Sequence, residues 1–211
     1  MKRRCFVTCI VGAAASLHAT QTLAHHVLNG DTPSNFFQGL LSGVAHPMIG
    51  VDHLAFLIAM GIAVAFMARS LVTPLVFVIG TIVGCLLSVA GVILPISEIA
   101  ITASVVVVGA MVLSGHRFPA MLYIALFAAG GVFHGWAYGA AIVGAEATPL
   151  LAYLLGFACI QYVIVVFAGT VVRRVWHATD TRALHPRLAG ALVAGIGLAF
   201  LIENIEGLIL G

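Results

Sequence analysis

The sequence predicts an all-α, polytopic membrane protein, with six transmembrane helices behind a cleaved signal peptide. Three observations carry this fold class. Of the 211 residues, 62% are hydrophobic and only 8% are charged, where a soluble domain has about 45–50% and about 25%. Mean hydropathy is +1.17. The apolar residues come in long continuous runs rather than in alternation, which selects helices. Besides closed barrels, only helices satisfy their own backbone in lipid. This composition excludes a soluble globular domain, a disordered chain and a nucleic-acid binder. Past the first residues, no Lys/Arg cluster could follow a phosphate backbone.

The amino-terminal segment reads as a leader. Lys2, Arg3 and Arg4 form a positive patch, Cys5 to Leu17 a short apolar run, and Thr22-Leu23-Ala24 a small-residue cleavage region. That is the pattern of a secretory signal peptide. Cleavage after Ala24 leaves residues 25–211 as a single six-helix domain, with His25 and His26 at its new amino terminus. It also removes Cys5 and Cys9. Cys85 and Cys159 fall inside apolar spans, so no disulfide framework is implied. Both read as small buried hydrophobes. The net charge of +2 belongs largely to the leader; the remainder carries six arginines against seven acids.

Six apolar stretches follow, five of them longer than the about 20 residues a helical span needs and one, Glu98–Leu113, somewhat shorter. They are Phe36–Ala68, Leu71–Leu94 (closed by Pro95), Glu98–Leu113, Pro119–Ala145, Pro149–Val172 and Arg187–Leu210. With the amino terminus outside, the inner loops hold Arg69, Arg117, Arg173, Arg174, Arg182 and Arg187, and the outer loops hold no arginine. This positive-inside bias agrees with export of the leader. Asp31, Glu98 and Glu146 fall outside. Gly39/Gly43, Gly80/Gly84, and Gly190/Ala194 with Gly197 have the small-residue spacings of close helix packing.

Ionisable side chains are expensive in a membrane and functional by default. The first stretch contains His46-Pro47-Met48-Ile49-Gly50-Val51-Asp52-His53. In a regular helix the two imidazoles would share a face about 10 Å apart along the axis, too far for one ion. Pro47 removes a backbone donor and kinks or restarts a helix. The stretch is also too long for one straight crossing. The expectation is a short outer helix, a break near His46–Pro47, and a spanning helix carrying Asp52 and His53.

The fourth stretch contains Phe133-His134-Gly135-Trp136-Ala137-Tyr138-Gly139, and the sixth ends in Glu203-Asn204-Ile205-Glu206. Counted from the inner side at about 1.5 Å per residue, His53, His134 and Glu203 all lie roughly 22–24 Å up. Three helices thus place ionisable groups at one level. His46, Glu146 and Glu206 lie further out, as an outer vestibule, and His25 and His26 add an exposed chelating terminus. Imidazole with carboxylate suits divalent first-row metals, with the carboxylate also able to orient a histidine. Each group has a plainer role as well. Asp52 can clamp His53, His134 can be a packed aromatic, and Glu203 and Glu206 can face headgroup water. His116, His177 and His185 read as solvated loop residues, and Gln161 as an interhelical hydrogen bond.

His46-x5-Asp52-His53 in the first span, together with Phe133-His134-Gly135-x-Ala137-x-Gly139 in the fourth, resembles the HupE/UreJ family of bacterial nickel- and cobalt-type metal permeases. The likeness covers essentially the whole mature chain, and Ile142 to Leu150 looks like the continuation in one branch. It implies that His46, Asp52, His53 and His134 carry metal across the inner membrane, in association with hydrogenase or urease maturation. Many relatives have a second histidine where Tyr138 stands, or an acid just after the following glycine, where this chain has Ala140.

The resulting expectation is a secondary permease for a divalent transition metal, nickel first, in the bacterial inner membrane, and not an enzyme. The metal site would comprise His46, Asp52, His53, His134 and Glu203, approached past His25, His26, Glu146 and Glu206. The metal is cargo, and no permanently bound cofactor is expected. Two other readings remain: an intramembrane metal-dependent hydrolase, for which no HExxH motif is present, and a non-transporting accessory protein of metalloenzyme maturation.

Overall fold

The structure, a computed structural model, describes residues 31–210. Among these it holds seven α-helices and no strand: α1 Phe36–Ile49, α2 Val51–Val64, α3 Thr73–Val89, α4 Ser97–Ser114, α5 Ala120–Ala140, α6 Ala147–Thr170 and α7 Leu184–Leu210. A π-helical turn, Val171–Val175, continues α6. The expected leader with its expected cleavage point, and His25 and His26, lie outside the described residues.

Helix ends follow local chemistry. The Asn35 side chain caps α1 by accepting from the Gln38 N–H at 3.0 Å. Pro74, Pro149 and Pro186 sit in the first turns of α3, α6 and α7, where a missing N–H is harmless. Gly91 and Gly115 adopt left-handed φ of +79° and +66° just past α3 and α4, the conformation that closes a helix. Gly91 explains why α3 stops at Val89 instead of reaching Leu94.

By length and composition, α4, α5, α6 with its π turn, and α7 can each cross a membrane. Helices α1 and α2 qualify together as one span bent by 77°. That gives four or five candidate spans; α3, with 17 residues, is shorter.

Glycine seams join the helices in pairs. Gly39 and Gly43 of α1 face the backbone of Pro149 and Tyr153 on α6. Gly80 and Gly84 of α3 face α5 at Gly131 and Val132, while Gly135 of α5 faces Thr81. Gly109 of α4 meets Ala194 of α7, and Gly190 and Gly197 return the contact. At each of these positions a Cβ would collide with main chain across the seam. The small-residue spacings in the sequence therefore mark these three interfaces.

Helix α2 occupies the middle and touches α1, α3, α4, α6 and α7. Its buried residues include Phe56, Leu57, Met60 and Ile62. Large apolar residues such as Ile79, Leu151, Val163 and Phe167 point outward, as a lipid-facing surface requires. Cys85 is buried, but Cys159 is exposed on that outer surface, which corrects its reading as a buried residue: it lies on the face of α6 turned away from the seam.

The arginine-bearing loops gather at one end. Arg173 donates to the Ala65 carbonyl at 3.3 Å and to Ser70 Oγ at 3.1 Å, and Arg187 donates to the Leu113 carbonyl at 2.9 Å. These cations meet the carbonyl ends of α2 and α4, where the helix dipole favours positive charge. His116, His177 and His185 are all exposed at this end.

Candidate metal centre

The site is built around the break between α1 and α2. The chain does not break at Pro47. Helix α1 runs through Pro47 to Ile49, and the bend falls at Gly50, which is extended (φ −68°, ψ 104°). The seam at Gly39 and Gly43 holds α1 against α6 up to the turn carrying His46, so the proline perturbs only a helix already ending. Gly50 gives the next turn its room: a Cβ there would stand 2.5 Å from the His53 ring.

The bend changes what the heptad spacing implied. Rather than standing about 10 Å apart on a straight helix, the His46 and His53 rings have centroids 6.0 Å apart. His46 joins the inner cluster instead of an outer vestibule. Asp52, in the first turn of α2, accepts the His53 backbone N–H at 2.8 Å. A carboxylate at a helix N-terminus is favourably placed. It also lies within electrostatic reach of His134, Tyr138 and Glu98.

His134 arrives on α5. Gly135 and Gly139 of the same motif dock against Thr81 and Ser88 of α3, so the motif glycines set the height of the imidazole. His134 is fully buried, with its ring 4.6 Å from Phe56, 5.6 Å from Phe77 and 4.9 Å from His53. Its Nδ1 lies 2.8 Å from His53 Nδ1, and its Nε2 lies 3.0 Å from Ser104 Oγ on α4. Ser104 Oγ also bonds the Ile101 carbonyl at 2.6 Å.

On the other side, His46 Nδ1 lies 3.1 Å from the Tyr153 hydroxyl of α6, and that hydroxyl donates to the Tyr138 carbonyl at 2.8 Å. The Tyr138 ring stands 5.0 Å from His46 and 4.8 Å from His53. Its hydroxyl is buried and has no hydrogen-bond partner among the described residues. Such a group costs about 1–3 kcal/mol when left unsatisfied.

Three imidazoles from α1, α2 and α5 are thus contiguous. The acids are arranged more loosely. Glu203 is half-buried on α7; its neighbour Asn204 donates at 3.5 Å to Thr102 Oγ1, two residues before Ser104 on α4. Glu146 and Glu206 are exposed, at the start of α6 and near the end of α7. Among the described residues, no three His, Cys, Asp or Glu side chains form a ready-made metal shell. Gln161 does bridge helices, with its Oε1 3.2 Å from Thr81 Oγ1.

Ser104 and Tyr153 were not singled out by the sequence. Their only signal is a hydroxyl inside an apolar span, and hydroxyls are common there because they bond their own helix. Ser104 does so with Ile101, and Thr102 with Glu98. Glu98, which the sequence places at the outer start of the third stretch, accepts the Thr102 hydroxyl with its backbone carbonyl at 2.8 Å.

Fold and site together define an all-helical protein with apolar helices of membrane-crossing length and a buried histidine cluster at their centre. The chain belongs to the HupE/UreJ family: the family model described as HupE / UreJ protein matches residues 13–200. It is similar to Protein HupE of Rhizobium leguminosarum bv. viciae, 29% identical over 167 residues that span 78% of this chain and 85% of the relative. No solved structure matches. The family is associated with nickel or cobalt uptake, or with hydrogenase and urease maturation, and its members are transporters or accessory proteins.

Proposed function

We propose that the protein is a secondary permease for a divalent transition metal, with nickel the first candidate. Its cargo site is built on His46, Asp52, His53 and His134, with Glu203 on the adjoining helix. The observation that carries this reading is the 2.8 Å contact between His53 and His134, with His46 one ring away. Bringing three imidazoles together away from water is costly unless they serve a ligand. Neutral nitrogen with carboxylate oxygen, and no thiolate, binds first-row divalent ions while still allowing release. The cluster is closed to both faces, with His46 and His53 each 5% exposed and His134 0%. Loading therefore requires the helices to part, as alternating access does.

In this reading α3 completes a set of six spans, counting α1 with α2 as one. The leader is cleaved, and the arginine end faces the cytoplasm of a bacterial inner membrane. His25, His26, Glu146 and Glu206 concentrate the ion at the outer face. Delivery to a hydrogenase or urease maturation system follows from the family association. The test is uptake into liposomes holding the purified full chain and a trapped metal-sensitive dye. Nickel entry well above that of empty vesicles is expected. Entry no faster than in empty vesicles for nickel, cobalt, zinc, iron and copper alike would overturn it.

A further inference from the structure

Tyr138 uses its two oxygens differently. Its backbone carbonyl accepts the Tyr153 hydroxyl at 2.8 Å. Its own hydroxyl is buried and has no hydrogen-bond partner among the described residues. Native proteins pair nearly all such groups, and an unpaired one calls for an explanation such as a bound water or ion. Rotation of the ring offers no escape. Tyr138 is 0% exposed, and its ring stands 5.0 Å from His46, 4.8 Å from His53 and 5.5 Å from Phe157. A half-turn about the ring axis returns the oxygen to the same place, so the packing fixes it there.

That place is beside the histidines. Tyr138 is one helical turn from His134 on α5, so the two side chains share a face. The hydroxyl lies within electrostatic reach of the Asp52 carboxylate and of the Tyr153 hydroxyl, and the latter stands 3.1 Å from His46 Nδ1. A hydroxyl oxygen carries the same two lone pairs as water. An ion entering the cluster must shed water, and such an oxygen replaces one lost molecule without adding charge.

We propose that the Tyr138 hydroxyl is a further oxygen donor of the cargo site. The ion exchanges one hydration water for this oxygen, and the proton stays on the hydroxyl. The metal-free protein carries the unpaired group, and loading satisfies it. This rests on the cargo-site reading above and adds a donor to His46, Asp52, His53, His134 and Glu203.

The test uses the purified full chain in lipid bilayers. Tyr138→Phe keeps the ring and removes only the oxygen. It is expected to bind Ni(II) about 10–100-fold more weakly than wild type in titration calorimetry, while its metal-free melting temperature is equal or higher. A residue that only packs would not give these opposite signs. On the wild type, carbon-13 at the tyrosine Cζ is read with Zn(II) as a diamagnetic probe. The Tyr138 line, assigned by its contact with the His53 ring, is expected to move on saturation. That measurement needs no variant, so a poorly folding Tyr138→Phe chain cannot mask the answer. Wild-type nickel affinity in Tyr138→Phe, or a Tyr138 line unmoved by bound zinc, would overturn this donor and leave the permease reading standing. A lower metal-free melting temperature would also overturn it, since the hydroxyl would then be bonded without cargo. A wild type that binds neither nickel nor zinc would overturn both.

Discussion

The Nδ1 atoms of His53 and His134 lie 2.8 Å apart although 81 residues separate them in the chain. One ring must donate and the other accept, so neither can change without leaving its partner unsatisfied. His53→Ala is expected to reduce nickel uptake in liposomes to the rate of empty vesicles, since a ligand is gone. His134→Ala removes another member of the cargo site and is expected to weaken binding by at least about 10–100-fold, and the His53 nitrogen that loses its contact adds about 1–3 kcal/mol of destabilisation. Titration calorimetry and a melting curve in detergent read both effects. Wild-type affinity in either variant would contradict the arrangement.

Much of this pair was legible in the sequence. Counting residues from the inner side, from Arg69 to His53 and from Pro119 to His134, placed the two at one level, because helix rise is regular. The glycine spacings likewise marked the seams that became α1–α6, α3–α5 and α4–α7 interfaces. The bend was displaced by three residues, from Pro47 to Gly50, because where α1 ends depends on its docking against α6, a tertiary contact. The place of His46 followed that error: a straight-helix spacing could not anticipate a 77° turn. Ser104 and Tyr153 were silent for another reason. A hydroxyl becomes informative only when its partner on another helix is known.

The Tyr138 hydroxyl is buried without a partner among the described residues. Tyr138→Phe keeps the ring packed against His46 and His53 and removes the unsatisfied oxygen. The metal-free protein is expected to be unchanged or more stable by about 1–3 kcal/mol, measured by thermal or chemical unfolding. A loss of stability would reveal a bonded hydroxyl.

At the arginine end, Asp180 accepts the Arg182 backbone N–H at 2.8 Å and pairs with Arg117 at 3.1 Å. The Arg182 N–H foremost, and then the Arg117 charge, hold its carboxyl below the ordinary value of 3.8. A depressed carboxyl contributes stability above the unfolded value and loses it as pH falls through the folded one. Asp180→Asn should therefore narrow the difference from wild type only below about pH 4, and leave it constant from pH 5 to 8. Both side chains are largely exposed, at 70% and 52%, so the effect should be small and should shrink with added salt. A pH-dependent difference near neutrality would point to another group.

Two glycines near the site should separate folding from binding. A Cβ on Gly135 would run into the backbone of Thr81, which cannot yield without prising α5 from α3. Gly135→Ala is therefore expected to cost about 1–3 kcal/mol or more, read as a lower melting temperature, and to reduce binding through loss of the fold. A Cβ on Gly50 meets chiefly the His53 ring, with Cδ2 at 2.5 Å, and a side chain can rotate away. Gly50→Ala should thus lower the melting temperature less than Gly135→Ala does, by no more than the about 1–3 kcal/mol that the lost His53–His134 contact is worth. The displaced ring loses its alignment with His134, and nickel affinity should fall about tenfold or more. If Gly50→Ala unfolds the protein instead, the bend itself depends on glycine. If it binds nickel normally, the His53 ring is not held in the orientation that the 2.8 Å contact with His134 requires.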